Sequence, residues 1–303
     1  MDTQKLLKKV RRIEIKTRRL SNHIFSGEYH SSFKGRGMTF SEVRAYEIGD
    51  DIRAIDWNVT AKLNEPHIKV FEEERELTLM LLVDVSGSEN FGTRNQLKRE
   101  MITEICATLA FSAIQNNDKV GVLFFSDKVE KFIPPAKGKS HTLRIIRELI
   151  EFKPQSTKTN ISEALRFFSA FQKRRAIVFV LSDFMDTRYR DSLKIASRKH
   201  DLTGIRIFDP REEELPNLGL LPLKDPESGK IHWVNTSSYK LRSKLRKRFN
   251  DSKAYYLESF LRSGSGELSI RIDQSYASAL LGYFKKRSRW KKYFFFLLAF
   301  AAS

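Results

Sequence analysis

The sequence is poor in cysteine, with Cys106 alone among 303 residues. One cysteine excludes a disulfide framework within the chain. Because Cys106 lies in a run of apolar residues with helical spacing, we expect a buried, unreactive thiol. The first residues have no apolar run behind their charges, so we expect no secretory signal. These two absences favour a reducing cytoplasm as the compartment.

The sequence also lacks the motifs of common hydrolases and nucleotide-binding proteins. Neither Gly-x-Ser-x-Gly nor His-Glu-x-x-His occurs, and the six histidines are scattered along the chain. Gly138-Lys139-Ser140 is similar to the end of a phosphate-binding loop, but that loop needs another glycine where Ile133 stands. We therefore expect a protein that is not an enzyme.

Positive charge is abundant, but only at the two ends of the chain. The formal net charge is +18, and residues 1–36 have 10 Lys/Arg against 3 Asp/Glu, while residues 237–303 have 15 against 4. The middle of the chain is therefore neutral. Residues 3–25 fit a basic amphipathic helix, since apolar residues recur along them at helical spacing. No zinc-finger spacing, RNA-binding signature or helix-turn-helix pattern accompanies the charge, so we do not expect nucleic acid as a partner.

The C-terminal tail joins basic and apolar residues. A basic cluster at 285–292 precedes an apolar run at 293–302. Ten residues reach about 15 Å as a helix, half of a bilayer core, so this run is too short to span a membrane. Its chemistry suits the anionic inner membrane surface. We expect peripheral membrane contact through residues 285–303, with packing on a neighbouring helix or a frayed end as the alternatives.

Strand-like and helical patterns alternate from residue 77 onward. Continuous apolar runs at 77–83, 120–125 and 176–181 are typical of strands buried on both faces, and helical spacing separates them. This alternation predicts an α/β fold, with a doubly wound, mainly parallel sheet and helices on both faces. The predicted regions are a basic helix with an irregular β extension (1–75), the sheet domain (76–262), and a strand, helix and tail (263–303).

Two details of this prediction concern prolines and the end of the sheet domain. Residues 129–133 are predicted as an edge strand that ends at Pro134-Pro135. Four prolines mark a loop after residue 209, and a long basic helix is predicted at about 238–262.

Short oxygen-bearing side chains stand where the predicted strands end. The first buried strand runs into Asp84-Val85-Ser86-Gly87-Ser88, Thr159 precedes a helix, and Asp183 follows the strand at 176–181. Parallel sheets place their sites at the carboxyl ends of strands. Hard cations such as Mg²⁺ are bound by oxygen ligands. The alternative is that Asp84 caps the turn and the serines bond to local backbone.

This arrangement resembles a von Willebrand factor A domain, which carries a metal-ion-dependent adhesion site. The resemblance implies that Ser86, Ser88 and Thr159 bind the metal directly or nearly so, with Asp84 and Asp183 bound or one water away. It implies Mg²⁺ as the metal, with Mn²⁺ or Ca²⁺ as alternatives. Glu89 and Asn160 are expected beside these ligands.

A second stretch resembles the bacterial family called domain of unknown function fifty-eight, over roughly residues 10–290. Its residues are Gly35-Arg36-Gly37-Met38-Thr39-Phe40, Gly49-Asp50-Asp51-Ile52-Arg53-Ala54-Ile55-Asp56-Trp57 and Phe71-Glu72-Glu73-Glu74-Arg75. Relatives often have Met where Glu89 stands. We interpret Gly49, Asp50, Asp51, Arg53, Asp56 and Trp57 as structural, with Arg53 paired to Asp50 or Asp56 and Trp57 as an anchor. Cation binding by Asp50 and Asp51 is the alternative.

The two resemblances together imply a metal-dependent protein-binding adaptor in the cytoplasm. Its metal would capture an acidic residue of a partner protein. Family resemblance further implies that this partner is a MoxR-type AAA+ ATPase that acts in complex assembly or maturation. The alternatives are a metal-dependent hydrolase with Asp84 or Glu89 as base, and a membrane scaffold that works through the basic ends.

Overall fold

The computed structural model describes residues 10–15, 39–72, 77–87, 98–224 and 231–287. The chain forms two compact units, residues 34–77 and the remainder. In the smaller unit two strands pair antiparallel, and a 3-10 helix and an α-helix lie between them in sequence. These elements are β1 (Thr39–Ala45), the 3-10 helix (Ile52–Ala54), α1 (Trp57–Leu63) and β2 (His67–Glu72).

The larger unit alternates strands and helices along the chain. In order, its elements are β3 (Thr78–Asp84), α2 (Lys98–Gln115), β4 (Lys119–Phe125), β5 (Val129–Ala136), α3 (Lys139–Glu151), α4 (Ile161–Phe171), β6 (Ile177–Ser182), α5 (Arg190–Ser197), β7 (Asp201–Phe208), α6 (Pro210–Glu213), β8 (Leu220–Lys224), β9 (Ile231–Asn235), α7 (Tyr239–Arg262), β10 (Gly266–Arg271) and α8 (276–287).

Six of these strands form one sheet in the order β10-β7-β6-β3-β4-β5, and only β5 runs antiparallel to its neighbour. The central strands are buried along almost their whole length, because their sequences are continuously apolar. Helices cover both faces, so the predicted doubly wound α/β fold is confirmed.

The two faces of the sheet have separate cores. On one face α4, α5 and α7 cover apolar residues that include Met80, Val180 and Phe260. On the other face α2 and α3 pack together, and Val10 and Ile13 of the helical residues 10–15 pack against them at Phe111. Helix α8 lies on this second face too, with Phe284 edge-on to Phe179 of β6. Cys106 is fully buried there, as predicted, and burial raises the pKa of its thiol.

Two local predictions need correction. Strand β5 is an edge strand, as predicted, but it continues through Pro134 and Pro135 to Ala136. The prolines are tolerated because an edge strand has one unpaired side, and the register with β4 shifts between Val120 and Val122. The proline-containing stretch predicted as a loop holds a short helix, α6, and the antiparallel pair β8–β9.

No helix within the described residues is long and apolar enough to cross a membrane. The tail beyond residue 287 and most of the predicted helix at 3–25 lie outside the described residues.

Candidate metal centre

Asp84 is the last residue of β3, the strand at the centre of the sheet. Its carboxylate is almost wholly buried, and both oxygens accept hydrogen bonds. The backbone N–H of Ser86 donates to Oδ1 at 2.9 Å, and the hydroxyl of Ser182 donates to Oδ2 at 2.6 Å. The first of these bonds turns the chain back over the strand end. Asp84 therefore has a capping role, as the alternative proposed, and it also faces the end of β6 through Ser182.

Asp183 follows β6, which is the parallel neighbour of β3. Val83 is in register with Leu181, so Asp84 and Asp183 leave the sheet on adjacent strands at the same edge. Both carboxylates are buried. Burial raises the pKa of Asp84 to about 7, and the negative charge of Asp183 adds to the rise against the hydrogen bonds from Ser182 and Ser86. The two carboxylates thus form an electrostatically coupled pair.

The loop that carries Thr159 reaches the same edge of the sheet. Gly87 donates its backbone N–H to the carbonyl of Thr157 at 2.9 Å, which ties this loop to the turn after β3. Thr159 is half-buried. The side-chain oxygen of Asn160 accepts the backbone N–H of Glu163 at 3.1 Å and so caps the start of α4. Ser88 and Glu89 lie outside the described residues, so the structure places Ser86, Thr159 and the two aspartates.

Lys98, at the start of α2, is a member of this site that sequence reasoning missed. Its ammonium is fully buried and lies 3.2 Å from Oδ2 of Asp183 and 2.6 Å from Oε1 of Glu212. Burial and the charge of Asp183 act to raise the pKa of Glu212, while Lys98 opposes the rise. The sequence signal for this buried cation is a lysine on the apolar stripe of a predicted helix. Its partners are 85 and 114 positions away in sequence.

Arg206 is a second buried cation at this edge. Its Nε donates to the backbone carbonyl of Asp183 at 3.1 Å, and its guanidinium lies 4.4 Å from the ring centroid of Phe249. The sequence signal was an arginine between Ile205 and Ile207 in a buried strand. Arg206 therefore fixes the backbone of Asp183 from the face of the sheet that α7 covers.

The residues present fit a divalent cation. Two buried carboxylates lie at neighbouring strand ends, and burial, followed by the negative charge of Asp183, raises the pKa of Asp84. A cavity of about 20 Å³ adjoins Asp84 and Ser86, but Arg99, Thr103 and apolar side chains line the rest of it, so it is not itself the cation position. Within the described ranges no three His, Cys, Asp or Glu side chains gather as a metal site, so a cation here needs hydroxyl ligands such as Ser86. It would also share Asp183 with Lys98.

The motif in the smaller unit differs from its sequence interpretation. Asp50 is held by both guanidinium nitrogens of Arg44, at 2.8 and 2.7 Å, and not by Arg53. Asp56 caps α1 and pairs with Lys69 at 3.3 Å. Within the described residues no ion pair joins Arg53 to Asp50 or Asp56, so its predicted pairing is wrong.

The remaining residues of this motif have local roles. Asp51 caps the 3-10 helix, and Gly49 has a φ of +112°, a conformation that favours glycine. Trp57 is 69% exposed, so it does not anchor the segment as predicted. The motif has a structural role, because its carboxylates bind Arg44, Lys69 and backbone N–H groups of the same unit.

The sequence matches the family described as "Protein of unknown function DUF58" over residues 42–255. Among curated relatives, uncharacterized protein Rv1480 of Mycobacterium tuberculosis (strain ATCC 25618 / H37Rv) is 26% identical over 296 residues, covering 95% of this chain and 92% of the relative. Uncharacterized protein YeaD of Bacillus subtilis (strain 168) is 27% identical over 122 residues, which are 40% of this chain and 27% of YeaD.

Solved structures show weaker likenesses. An aerotolerance-related membrane protein from Bacteroides fragilis NCTC 9343 matches with a TM-score of 0.45 and 15% identity, covering 70% of this chain and 98% of that one. BatB from Bacteroides thetaiotaomicron, a conserved hypothetical protein, matches with a TM-score of 0.43 and 14% identity, covering 70% and 99%. Because both TM-scores are below 0.5, these likenesses support no further conclusion. The assignment of the fold depends on the strand order and on the helices that cover the sheet.

Proposed function

This chain belongs to the DUF58 family, and from that premise we propose that it is a metal-dependent protein-binding adaptor. The proposed site is of the metal-ion-dependent adhesion type and lies at the carboxyl edge of the sheet. Asp84, Ser86, Thr159 and Asp183 hold the metal, together with Ser88 by the sequence motif. The protein acts by binding and does no chemistry on its partner.

The observation that carries this proposal is the pair of buried carboxylates at adjacent strand ends. Burying two like charges together is unfavourable unless a cation or a proton balances them. Lys98 balances Asp183, but the pKa of Asp84 still rises to about 7. One further cation beside Asp84 and Ser86 would complete the balance. Mg²⁺ is the first candidate because it binds oxygen ligands and usually keeps several waters, which a partner's carboxylate could replace.

When bound, the metal would supply an open coordination position for a carboxylate. The chain's own residues prepare that position. Ser182 and the backbone of Ser86 orient the Asp84 carboxylate, while Lys98 and Arg206 hold the side chain and the backbone of Asp183. A partner is therefore expected to present an exposed Asp or Glu. That the partner is a MoxR-type AAA+ ATPase is proposed from the family resemblance alone.

The first test compares thermal unfolding with and without Mg²⁺ in wild type and Asp84→Asn. Binding to the folded state alone raises the melting temperature, by roughly 5 °C when Mg²⁺ is at 100 times its Kd. We expect this shift in wild type and not in Asp84→Asn. Asp209→Asn is the matched control, because Asp209 is also buried at this edge, where it caps α6. Equal shifts in all three proteins would refute the metal site.

The second test asks what the site binds. A purified MoxR-type ATPase of the same host is passed over immobilised wild type, Asp84→Asn, and wild type in chelator. We expect retention by the metal-loaded wild type only. Equal retention in all three lanes would mean that the ATPase binds this protein without using the metal site. Absence of retention, with the thermal shift intact, would leave the metal site standing and remove this partner.

One observation favours the rival hydrolase, since a pKa of about 7 suits a general base. The geometry argues against it, because Asp84 is buried and both its oxygens accept hydrogen bonds from the chain itself. Turnover of generic phosphoesters and peptides in Mg²⁺ or Mn²⁺ discriminates the two. Turnover lost in Asp84→Asn would establish the hydrolase and overturn the adaptor.

A further inference from the structure

The antiparallel pair β8–β9 exposes an apolar face. Residues paired across two strands share a face, and Pro222 pairs with Trp233, while Leu220 lies two residues from Pro222 on the same side. Leu220, Pro222 and Trp233 are exposed, with Trp233 at 68%, and so is Ile231. On the opposite face Leu221 and Val234 are half-buried. The outward face of this ribbon is therefore apolar and the inward face is partly covered.

The apolar area continues beyond the ribbon at the end where the chain enters β8 and leaves β9. Leu218 precedes β8 and Tyr239 begins α7, and both side chains are exposed. Thr236 joins the two strands at this end, since its backbone N–H and its hydroxyl both donate to the carbonyl of Gly219, at 2.8 and 2.7 Å. Five of the fourteen large hydrophobic residues exposed in the described part of the chain fall between 218 and 239. This is a cluster and not a random scatter.

The first half of α7, which starts at the base of this ribbon, carries positive charge only. Residues 239–250 contain six Lys/Arg and no Asp/Glu. Lys240, Lys244, Lys247 and Arg248 are exposed, and their spacing places them along one stripe of the helix. In the part of the chain that the structure describes, none of these four forms an ion pair. Their charge is therefore available to an external anion.

We propose that the apolar face of β8–β9 and the basic first half of α7 form a surface that docks on an anionic membrane. We define this hairpin–helix surface by Leu218, Leu220, Ile231, Trp233, Tyr239, Lys240, Lys244, Lys247 and Arg248. Trp and Tyr at the headgroup level, apolar residues below them and Lys/Arg around them are the chemistry of membrane interfaces. Anionic lipids attract such lysines. The apolar and cationic groups are adjacent, so both contribute at once.

This surface is distinct from the basic tail at 285–303. Arg287 bonds to Asp201, the first residue of β7, so the described end of the tail lies at the amino edge of the sheet. The hairpin–helix surface follows the carboxyl end of β7, and Phe249 of α7 packs against Phe208 there. The two basic regions therefore leave the sheet at opposite edges. The hairpin–helix surface therefore lies on the side of the sheet's carboxyl edge, the edge that also carries Asp84 and Asp183. A membrane bound to this surface would face that edge.

The experiment measures flotation of the full chain with vesicles of phosphatidylcholine alone and of phosphatidylcholine with phosphatidylglycerol at a ratio of about 7 to 3. We expect wild type to bind the anionic vesicles at least about tenfold more tightly, and the preference to fall with salt. Ile231→Ser/Trp233→Ser removes the apolar contact. Lys240→Gln/Lys244→Gln/Lys247→Gln removes three charges. Each variant should lose about tenfold or more in partitioning.

Matched controls carry the same changes elsewhere on the larger unit. Ile195→Ser/Leu261→Ser removes two exposed apolar residues, and Lys153→Gln/Lys173→Gln/Lys194→Gln removes three exposed charges. Both should bind vesicles like wild type. Circular dichroism melting of every variant confirms that the fold is retained. Asp84→Asn should also bind vesicles normally, so this result does not depend on the metal site.

Three outcomes would overturn the proposal. If the hairpin–helix variants float like wild type while a chain that ends at residue 287 does not, membrane contact belongs to the tail. If wild type does not bind anionic vesicles at all, the surface is not a membrane surface, and an acidic protein becomes its expected occupant. A similar loss in the hairpin–helix variants and in their matched controls would also contradict it, because the effect would then be one of total charge or hydrophobicity.

Discussion

The cations at the carboxyl edge of the sheet differ from those on the first half of α7 in burial and in pairing. Lys98 and Arg206 are fully buried; two carboxylates hold Lys98, while Arg206 has a carbonyl at Nε and an aromatic ring, and its two terminal nitrogens have no hydrogen-bond partner among the described residues. Lys244 and Lys247 are exposed and form no ion pair within the described residues. A buried charge needs partners to exist at all, whereas an exposed charge is solvated by water and remains free to attract something else.

This contrast assigns different roles to similar side chains. The buried cations orient Asp183 and reduce its repulsion of Asp84, so they belong to the construction of the site. The exposed cations add nothing to the core, and our proposal assigns them to association with a membrane surface. Stability should therefore respond to the first group and binding to the second.

Lys98→Met should give the largest loss of stability. The change leaves the buried carboxylates of Asp183 and Glu212 with less positive charge nearby, and breaking such a pair costs about 3–5 kcal/mol. Urea denaturation of wild type and variant measures the free energy of unfolding. Lys194→Met, at an exposed site on α5, should change it by less than about 0.5 kcal/mol.

A second substitution distinguishes lost charge balance from lost packing. Lys98→Met combined with Asp183→Asn and Glu212→Gln removes the uncompensated charges and should recover part of the loss. If Lys98→Met is as stable as wild type, the buried cluster does not hold this edge together and the contrast with α7 fails.

His200 sharpens the contrast, because it is a buried base with no hydrogen-bond partner among the described residues. It is 3% exposed, its ring lies 4.7 Å from that of Phe168, and neither ring nitrogen has a hydrogen-bond partner among the described residues. Burial, aided by the positive charges of Lys199 and Arg175, lowers the pKa of His200 to about 4 from 6.5. The buried ring is therefore neutral where a paired base would be charged.

The sign of the resulting pH dependence follows from proton uptake. The unfolded chain takes up a proton at His200 near pH 6.5, and the folded chain only near pH 4, so this stability is present above 6.5 and is lost as pH falls toward 4. The loss is roughly 2–3 kcal/mol. His200→Leu should remove this part of the pH dependence when the free energy of unfolding is measured from pH 7.5 to 4.5. Parallel curves for wild type and variant would contradict it.

Without metal, Asp84 should give stability the opposite pH dependence to His200, and it should also make metal binding depend on pH. Without metal, the raised pKa of Asp84 means that stability at this residue is lost as pH rises from about 4 to about 7. Metal binding needs the ionised carboxylate, so protons compete with Mg²⁺ below pH 7. The stabilisation by Mg²⁺ should be about 1 kcal/mol larger at pH 8 than at pH 6. Urea denaturation with saturating and zero Mg²⁺ tests this, and equal stabilisation at the two pH values in wild type would count against Asp84 as a ligand.

Parts of the fold and the site followed from sequence because they depend on local patterns. Continuous apolar runs identified β3, β4 and β6, and the geometry of a parallel sheet then placed Asp84 and Asp183 at one edge. Ser86 and Thr159 came from the same strand-end pattern, and the resemblance to a known domain added their expected role as metal ligands. Each of these steps needs only a stretch of about ten residues and a rule for how strands combine.

The buried cluster and the exposed ribbon could not be derived in this way. The burial of Lys98 depends on Glu212, 114 positions away, and no local pattern connects them. Arg44, not Arg53, binds Asp50, because β1 brings Arg44 beside the turn that holds Asp50. The ribbon β8–β9 contains Pro222, which suggested a loop, yet a two-stranded pair tolerates proline at an edge. In all three cases tertiary contacts override the local signal.

The smallest expected effect concerns the exposed cations themselves. Lys244 lies four residues from both Lys240 and Arg248, and like charges at this spacing destabilise a helix. Lys244→Gln should therefore raise the free energy of unfolding slightly, by about 0.3–0.5 kcal/mol at low salt. The gain should vanish near 1 M salt, where the Debye length is about 3 Å. Lys173→Gln, an exposed lysine outside a helix, serves as the control and should change little. A loss of stability in Lys244→Gln would show that Lys244 has a structural partner, and would place it with Lys98 instead of with the free surface charges.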